Sequence, residues 1–254
     1  MFSFQAPPST PYDLRFRLLG IPIRVHPLFW LMAVVLGLYA GDAAHLAIWI
    51  AIVFVSIVVH ELGHALSMRF YGQPSRVVLH MAGGLTIPEP VAYQGDWTRP
   101  PLKPGQEILI TFAGPAAGFL LAGAVIAGVA AAGGLVTQTP LFGLIPWPMA
   151  LLPEHGPMVN WSVTTLIWVN LFWSLVNLAP VYPLDGGLIA RHALVYADPK
   201  NGIRASLWIS LITGAAVAVL AWLLLRSLLM VILFGLLAVQ SYQALAHRAP
   251  KEAG

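Results

Sequence analysis

Apolar residues along this chain gather into long runs instead of recurring at a 3.6-residue period with polar residues between them. A helix needs roughly 20 mostly apolar residues to cross the hydrocarbon core of a bilayer. Spans are predicted at about 27–41, 43–66, 107–131, 159–180, 204–225 and 228–246. The expected fold class is therefore an all-α membrane protein with about six transmembrane helices. The first run is short, and its flanks Pro27 and Gly41 suit either a tilted span or one arm of a tight hairpin with the second.

The segment 72–106 breaks this pattern. It is rich in Gly and Pro and holds short β-prone pieces, VVLH and LTI, on either side of Gly83-Gly84. These predict a small β-hairpin or re-entrant element, and irregular backbone at membrane depth survives only against protein or a water-filled cavity. LGIPIRVHP, 19–27, is a second candidate strand or interfacial segment. No internal repeat or room for a separate soluble domain is visible. The expected organisation is one polytopic domain over 1–254, with a cytoplasmic or interfacial N-terminal segment 1–26 and the β loop 72–106.

Composition agrees with that reading and narrows the chemistry. The chain is 58% apolar and 9% charged, which fits a polytopic membrane protein better than a globular one. It contains no cysteine, so disulfides, thiolate nucleophiles and Cys-based metal sites are excluded. The net charge of +3 has little soluble surface to act from, and nucleic acid is not an expected partner. Prolines, Asp13, Arg15 and Arg17 precede the first apolar run, so residues 1–20 do not read as a cleavable signal.

The basic residues also predict an orientation, because cytoplasmic loops carry an excess of Lys and Arg. Arg15, Arg17 and Arg24 precede the first span. Arg69, Arg76, Arg99 and Lys103 lie between the second and third, Arg191, Lys200 and Arg204 lie around the fourth-to-fifth connection, and Arg248 and Lys251 close the chain. With six spans all of these share one side, and only Arg226 falls on the other. Both termini are expected in the cytoplasm, with the ends of the second and fourth spans on the same side.

The second span ends in VVHELGHAL, 58–66. Ionisable groups in a membrane helix are costly, and three together point to function. On a helix, His60 and His64 project from one face a turn apart, with Glu61 beside them. This is the H-E-x-x-H arrangement, in which two imidazoles bind zinc and the carboxylate serves as general base. The bland alternative is a set of polar side chains reaching for the membrane surface.

A catalytic zinc usually takes a third protein ligand. Ser67 and Phe70 stand where a metzincin would continue its motif. Glu89 is trapped between Pro88 and Pro90, Glu107 opens the third span, and Glu154 is expected on the opposite face. Asp185, in NLAPVYPLDGG at 177–187, is the best remaining candidate, since Pro180 and Pro183 break the helix there and Gly186-Gly187 free the turn. The alternative for Asp185 is a cap or turn residue, because D-G is a common turn signal.

Together the two motifs resemble the site-2 protease family of intramembrane zinc metalloproteases. HELGH matches that family's first motif, and Asn177, Pro180, Pro183, Leu184, Asp185 and Gly186 match its later N-x-x-P-x-P-x-L-D-G. LGIPIRVHP, MAGGLTIP and FAGPAAGF (112–119) are similar more weakly, and Gly118 stands where the family often has Asn. The resemblance implies one Zn2+ ion held by His60, His64 and Asp185, with Glu61 as general base and Asn177 contacting substrate or the developing oxyanion.

The same resemblance implies regulated intramembrane proteolysis: hydrolysis of a peptide bond in or near the transmembrane segment of a single-pass membrane-protein substrate. No stretch has the length for the PDZ or CBS domain that some members carry, and this compact design suggests a minimal, core-only member in the lipid bilayer of a prokaryotic inner membrane. Two other readings are weighed against it. A metal-ion transporter or channel would need midplane polar groups on several helices, yet the third, fifth and sixth spans are almost devoid of them. A non-catalytic relative that only binds transmembrane segments would not need the intact ligand set and Glu61.

Overall fold

The computed structural model describes residues 6–93, 96–98, 102–141 and 145–247. Arg99, Arg248 and Lys251, used above for orientation, lie outside the described residues. The chain forms two compact units, one of residues 2–101 with 113–174 and one of residues 102–112 with 175–254.

In the first unit, β1 (Leu14–Leu18) and β2 (Ile21–Val25) form an antiparallel hairpin. Its two turn residues, Leu19 and Gly20, both have positive φ, 51° and 79°, as a two-residue hairpin turn matching strand twist requires. Helices α1 (Pro27–Gly37) and α2 (Ala43–Phe70) follow, and β3 (Ser75–His80) returns parallel to β2. β4 (Gly83–Pro88) pairs with β3 and leaves the sheet in the order β1-β2-β3-β4.

Alternation in β2 is strict: Ile21, Ile23 and Val25 are buried while Pro22 and Arg24 are not. The buried side chains join Val77 and Leu79 of β3 and Val53, Ile57, Val58, Leu62 and Ala65 of α2 in one core. The sheet is thus laid against the second half of α2. Both helix starts are capped: His26 Nδ1 accepts from Leu28 N at 3.2 Å, and Asp42 accepts from Ala44 N and His45 N at 2.9 Å each. Short strands β5 (Val91–Tyr93) and β6 (Asp96–Thr98) come next.

The unit resumes at residue 113 within α3 (Pro104–Ala131), continues through the hairpin of β7 (Leu135–Leu141) and β8 (Ile145–Leu151), and ends in α4 (Pro157–Asn177). Asn170 of α4, 2% exposed, donates to Ser56 Oγ of α2 at 2.9 Å, a buried interhelical bond.

The second unit contains α5 (Asp185–Ala197), α6 (Gly202–Leu220) with a π turn over Ala221–Leu225, and α7 (Leu228–Ala246). Arg226, at φ 50°, reverses the chain between α6 and α7, and Gly214 lets α6 approach Ala238 and the Phe234 carbonyl. Val181, from the turn before α5, is buried with Phe234 and Leu237 of α7.

Five of these helices, α2, α3, α4, α6 with its π turn, and α7, are long and apolar enough to cross a membrane. The first expected span is an 11-residue helix, α1, about 16 Å long and too short to cross a core of about 30 Å unaided. The mostly helical, membrane-type fold with small sheets is thus as expected, while α5, β1 and the β7–β8 hairpin add to it. Pro140, Pro146 and Pro148 argue against strands in sequence, but in a two-stranded ribbon every strand is an edge and tolerates proline.

Candidate functional site

Three of the expected site residues sit in the C-terminal third of α2. His60, Glu61 and His64 are 5%, 6% and 9% exposed. The uninterrupted helix does what the spacing demands, and the Nε2 atoms of His60 and His64 lie 3.2 Å apart. Two nitrogens bound tetrahedrally at about 2.05 Å would be about 3.3 Å apart, so the rings already stand at the separation one zinc ion needs.

Room for that approach comes from α3. A Cβ at Gly114 would overlap His64 Nε2 and approach His60 Nε2 to 2.8 Å, and one at Gly63 would overlap the Ala113 carbonyl. Two glycines facing opposite helices therefore let α3 pass beside the imidazoles, and Gly114 leaves open a cradle at the two ring nitrogens. Nitrogen and oxygen donors, with no sulfur in the chain, and this cradle fit a zinc site.

Glu61 is fixed from the sheet. Thr86 Oγ1 of β4 lies 2.7 Å from Glu61 Oε2 and 3.1 Å from the Glu61 carbonyl oxygen, so the hydroxyl donates into the carboxylate side of the helix end. Two residues earlier, on the same face of the strand, Gly84 lies so close that a Cβ would overlap the Glu61 carboxyl group. Gly84 pairs with Leu79 and Thr86 with Val77, the two β3 positions that face α2. Sequence reasoning singled out Gly83-Gly84 as a hairpin but missed Thr86 and Gly114. Period-two alternation from Gly84 would have pointed to Thr86, and Gly114 is marked in the sequence by the Pro115 that follows it in FAGPAAGF, though not as a neighbour of the imidazoles.

Asp185 and Asn177 belong to the second unit. Asp185 is the first residue of α5 and is partly buried; the cap position is held by Leu184, without a side-chain bond. The turn before it is fixed by backbone contact: a Cβ on Gly186 would overlap the Leu178 carbonyl, and one on Gly187 would overlap the Tyr182 amide and Val181 carbonyl. The Tyr182–Pro183 peptide is cis, and Tyr182 N donates to Ser210 Oγ of α6 at 3.0 Å. Asn177 is the last residue of α4 and partly buried.

Two of the three carboxylates set aside as ligands, Glu107 and Glu89, have other partners. Glu107 Oε2 lies 2.8 Å from His192 Nδ1, and Glu89 lies 3.6 Å from Arg76. His26 caps α1, and His45 pairs with Asp42 at 2.9 Å. His80 Nδ1 accepts from Ala82 N at 3.3 Å.

Comparison with known proteins points to metalloproteases. A zinc metalloprotease of Methanocaldococcus jannaschii is 28% identical over 232 residues, covering 90% of this chain and 55% of its own. A putative zinc metalloprotease of Synechocystis is 30% identical over 189 residues, 68% of this chain and 42% of its own. The stage IV sporulation protein FB of Bacillus subtilis is 27% identical over 200 residues, 76% and 57% of the two chains. The chain thus spans about half the length of the curated relatives it matches. Among solved structures, the site-2 protease of Methanocaldococcus jannaschii superposes with a TM-score of 0.53 at 24% identity, over 92% of this chain and 95% of that one, and so shares its fold. With the sequence profile of peptidase family M50 matching residues 48–221 and the H-E-x-x-H helix inside that range, the chain belongs to peptidase family M50.

Proposed function

We propose that this protein is an intramembrane zinc endopeptidase that hydrolyses a peptide bond in or near the transmembrane segment of a single-pass membrane protein. The observation that carries the reading is the pair of buried imidazoles, 3.2 Å apart at Nε2, next to a buried carboxylate held by Thr86.

His60 and His64 supply two nitrogens, and the carboxylate of Asp185 is the third ligand of the same ion; the three offer the donor atoms a catalytic zinc takes. Zinc, when bound there, supplies Lewis-acid polarisation and a more acidic water at neutral pH. Glu61 takes the proton from the attacking water and returns it to the leaving amine. Thr86 holds Glu61 in place for both transfers. Asn177 contacts the substrate backbone or donates to the carbonyl oxygen as charge develops on it.

The whole chain acts as one protease domain in the lipid bilayer of a prokaryotic inner membrane, with both termini cytoplasmic. Support for that orientation is the crowding of Arg15, Arg17, Arg24, Arg69 and Arg76 around the sheet at the His64 end of α2.

Glu61→Gln separates catalysis from metal binding. Purified Glu61→Gln protein should keep stoichiometric zinc by elemental analysis and lose cleavage of a reconstituted transmembrane substrate by roughly 100-fold or more. Cleavage at the wild-type rate would remove Glu61 from the mechanism and the reading with it.

A further inference from the structure

The four-stranded sheet has a second face that the catalytic reading does not use. Ile23, Val25, Val77 and Leu79 turn inward against α2. The alternate positions carry Arg15 and Arg17 on β1, Arg24 on β2 and Arg76 on β3, with Arg15 directly opposite Arg24. These four arginines, together with Pro7 and Ser9 of the N-terminal segment, line an open groove of about 690 Å³.

The charges in the groove do not cancel. Asp13 receives a bond from Arg24 Nη1 at 3.0 Å and lies 3.8 Å from Arg15, and Glu89 lies 3.6 Å from Arg76. Burial alone would raise the Asp13 pKa, but bonds from Thr10 and Arg24 outweigh it and bring it to about 2, so Asp13 is ionised at any ordinary pH. Against its charge and that of Glu89 stand four guanidinium groups. His80, at the end of β3, titrates lower than usual because of burial and the nearby His26 and Arg24, as expected in a positive field.

The placement of the hairpin says what kind of anion this is. Along β1, arginines alternate with apolar side chains that are themselves partly open: Leu14 is 49% and Leu18 41% exposed, and Leu19 in the turn is 61% exposed. Arg69, in the last turn of α2, donates to the Leu19 carbonyl at 2.6 Å and ties the hairpin tip to the end of a membrane-spanning helix. Phe70, which ends that helix, is 82% exposed. A strand with alternate apolar and cationic positions at the end of a spanning helix is suited to the boundary of acyl chains and headgroups. Guanidinium groups match phosphate oxygens in charge and in bidentate geometry.

We propose that the outer face of this sheet binds the phosphate headgroup of an anionic membrane lipid, seating the β1–β2 hairpin at the bilayer surface. The site does not rest on the protease reading, and its test does not use cleavage. The protein is extracted from bilayers of equal phosphatidylglycerol and phosphatidylcholine, and the lipids it retains are weighed by native mass spectrometry. The wild type should retain phosphatidylglycerol over phosphatidylcholine by roughly tenfold or more, given about 1 kcal/mol for each basic residue at an anionic surface.

Arg17→Gln combined with Arg76→Gln should bring that ratio close to one. Unchanged zinc content would show that the double variant is folded, and circular dichroism would serve the same end if the wild type holds no zinc. Equal retention of the two lipids by the wild type, or a preference untouched in the double variant, overturns the proposal. So does displacement of the retained lipid by millimolar inorganic phosphate or by a soluble acidic peptide, since the groove would then be a general anion or peptide site.

Discussion

The end of α2 and the turn leading into α5 each present a carboxylate, and they hold it by different means. At the end of α2 the backbone is an ordinary helix, and Glu61 is positioned from outside by side-chain contacts: the Thr86 hydroxyl at 2.7 Å and the bare face of Gly84. At Asp185 no side-chain cap supports the helix start, and the position is fixed by the path of the main chain, with Gly186 and Gly187 seated against backbone carbonyls of residues 178 and 181. In the proposed mechanism Glu61 is a base that must move protons, and it is adjusted by groups that can be changed singly. In the same mechanism a ligand has only to stay in place, and Asp185 is built into the turn itself.

The largest test of that contrast is removal of the carboxylate at the turn. Asp185→Ala should lower zinc affinity by at least roughly 100-fold, beyond what loss of a mere supporting residue gives, and His64→Ala should do the same. Elemental analysis of both purified variants checks it. Stoichiometric zinc in Asp185→Ala together with its loss in His64→Ala would leave the helix end as the metal site and take Asp185 out of it.

The two glycines should then part company. In Gly186→Ala the new methyl meets the Leu178 carbonyl, which belongs to the main chain and cannot swing aside. Overpacking of that kind costs about 1–3 kcal/mol, so thermal unfolding should move down by several degrees, and zinc with it. In Gly84→Ala the methyl meets the Glu61 carboxyl, which can rotate away. Zinc should stay bound and the melting curve should barely move, while cleavage falls by roughly 100-fold as the base is turned out of line. Equal melting shifts in the two variants would erase the distinction.

The same contrast explains how much of the molecule was legible in its sequence. His60, Glu61 and His64 could be placed because a regular helix converts spacing directly into geometry, and the structure brings the two imidazole nitrogens to 3.2 Å. Five of the helices followed from apolar runs long enough to cross a bilayer, whereas the run at 27–41 became the 11-residue α1. What escaped depends on contacts between distant segments. α5 opens with Asp-Gly-Gly, a turn signal by local propensity, and becomes a helix because the glycines pack onto the preceding turn. Thr86 is one β-branched residue among several in the hairpin until the strand register sets it over Glu61. Gly114 matters only because α3 crosses α2 at the imidazoles.

Thr86 gives the smallest and sharpest test. Valine has nearly the shape of threonine, so Thr86→Val removes the hydroxyl from Glu61 and leaves the strand in place. A hydrogen bond to a charged group is worth about 1.5–3 kcal/mol, and if the bond serves only to aim the carboxylate, kcat should fall by roughly 10–100-fold with KM unchanged. Thr86→Ser keeps the hydroxyl and should recover most of the rate, which a purely steric role for the side chain would not predict. Zinc content should match the wild type in both variants, because Thr86 bonds to Glu61 and to neither imidazole. If Thr86→Val instead cleaves at the wild-type rate, β4 acts on the base through the close approach at Gly84 alone. The end of α2 would then be governed by backbone proximity, as the turn before α5 is, and the difference between the two regions would disappear.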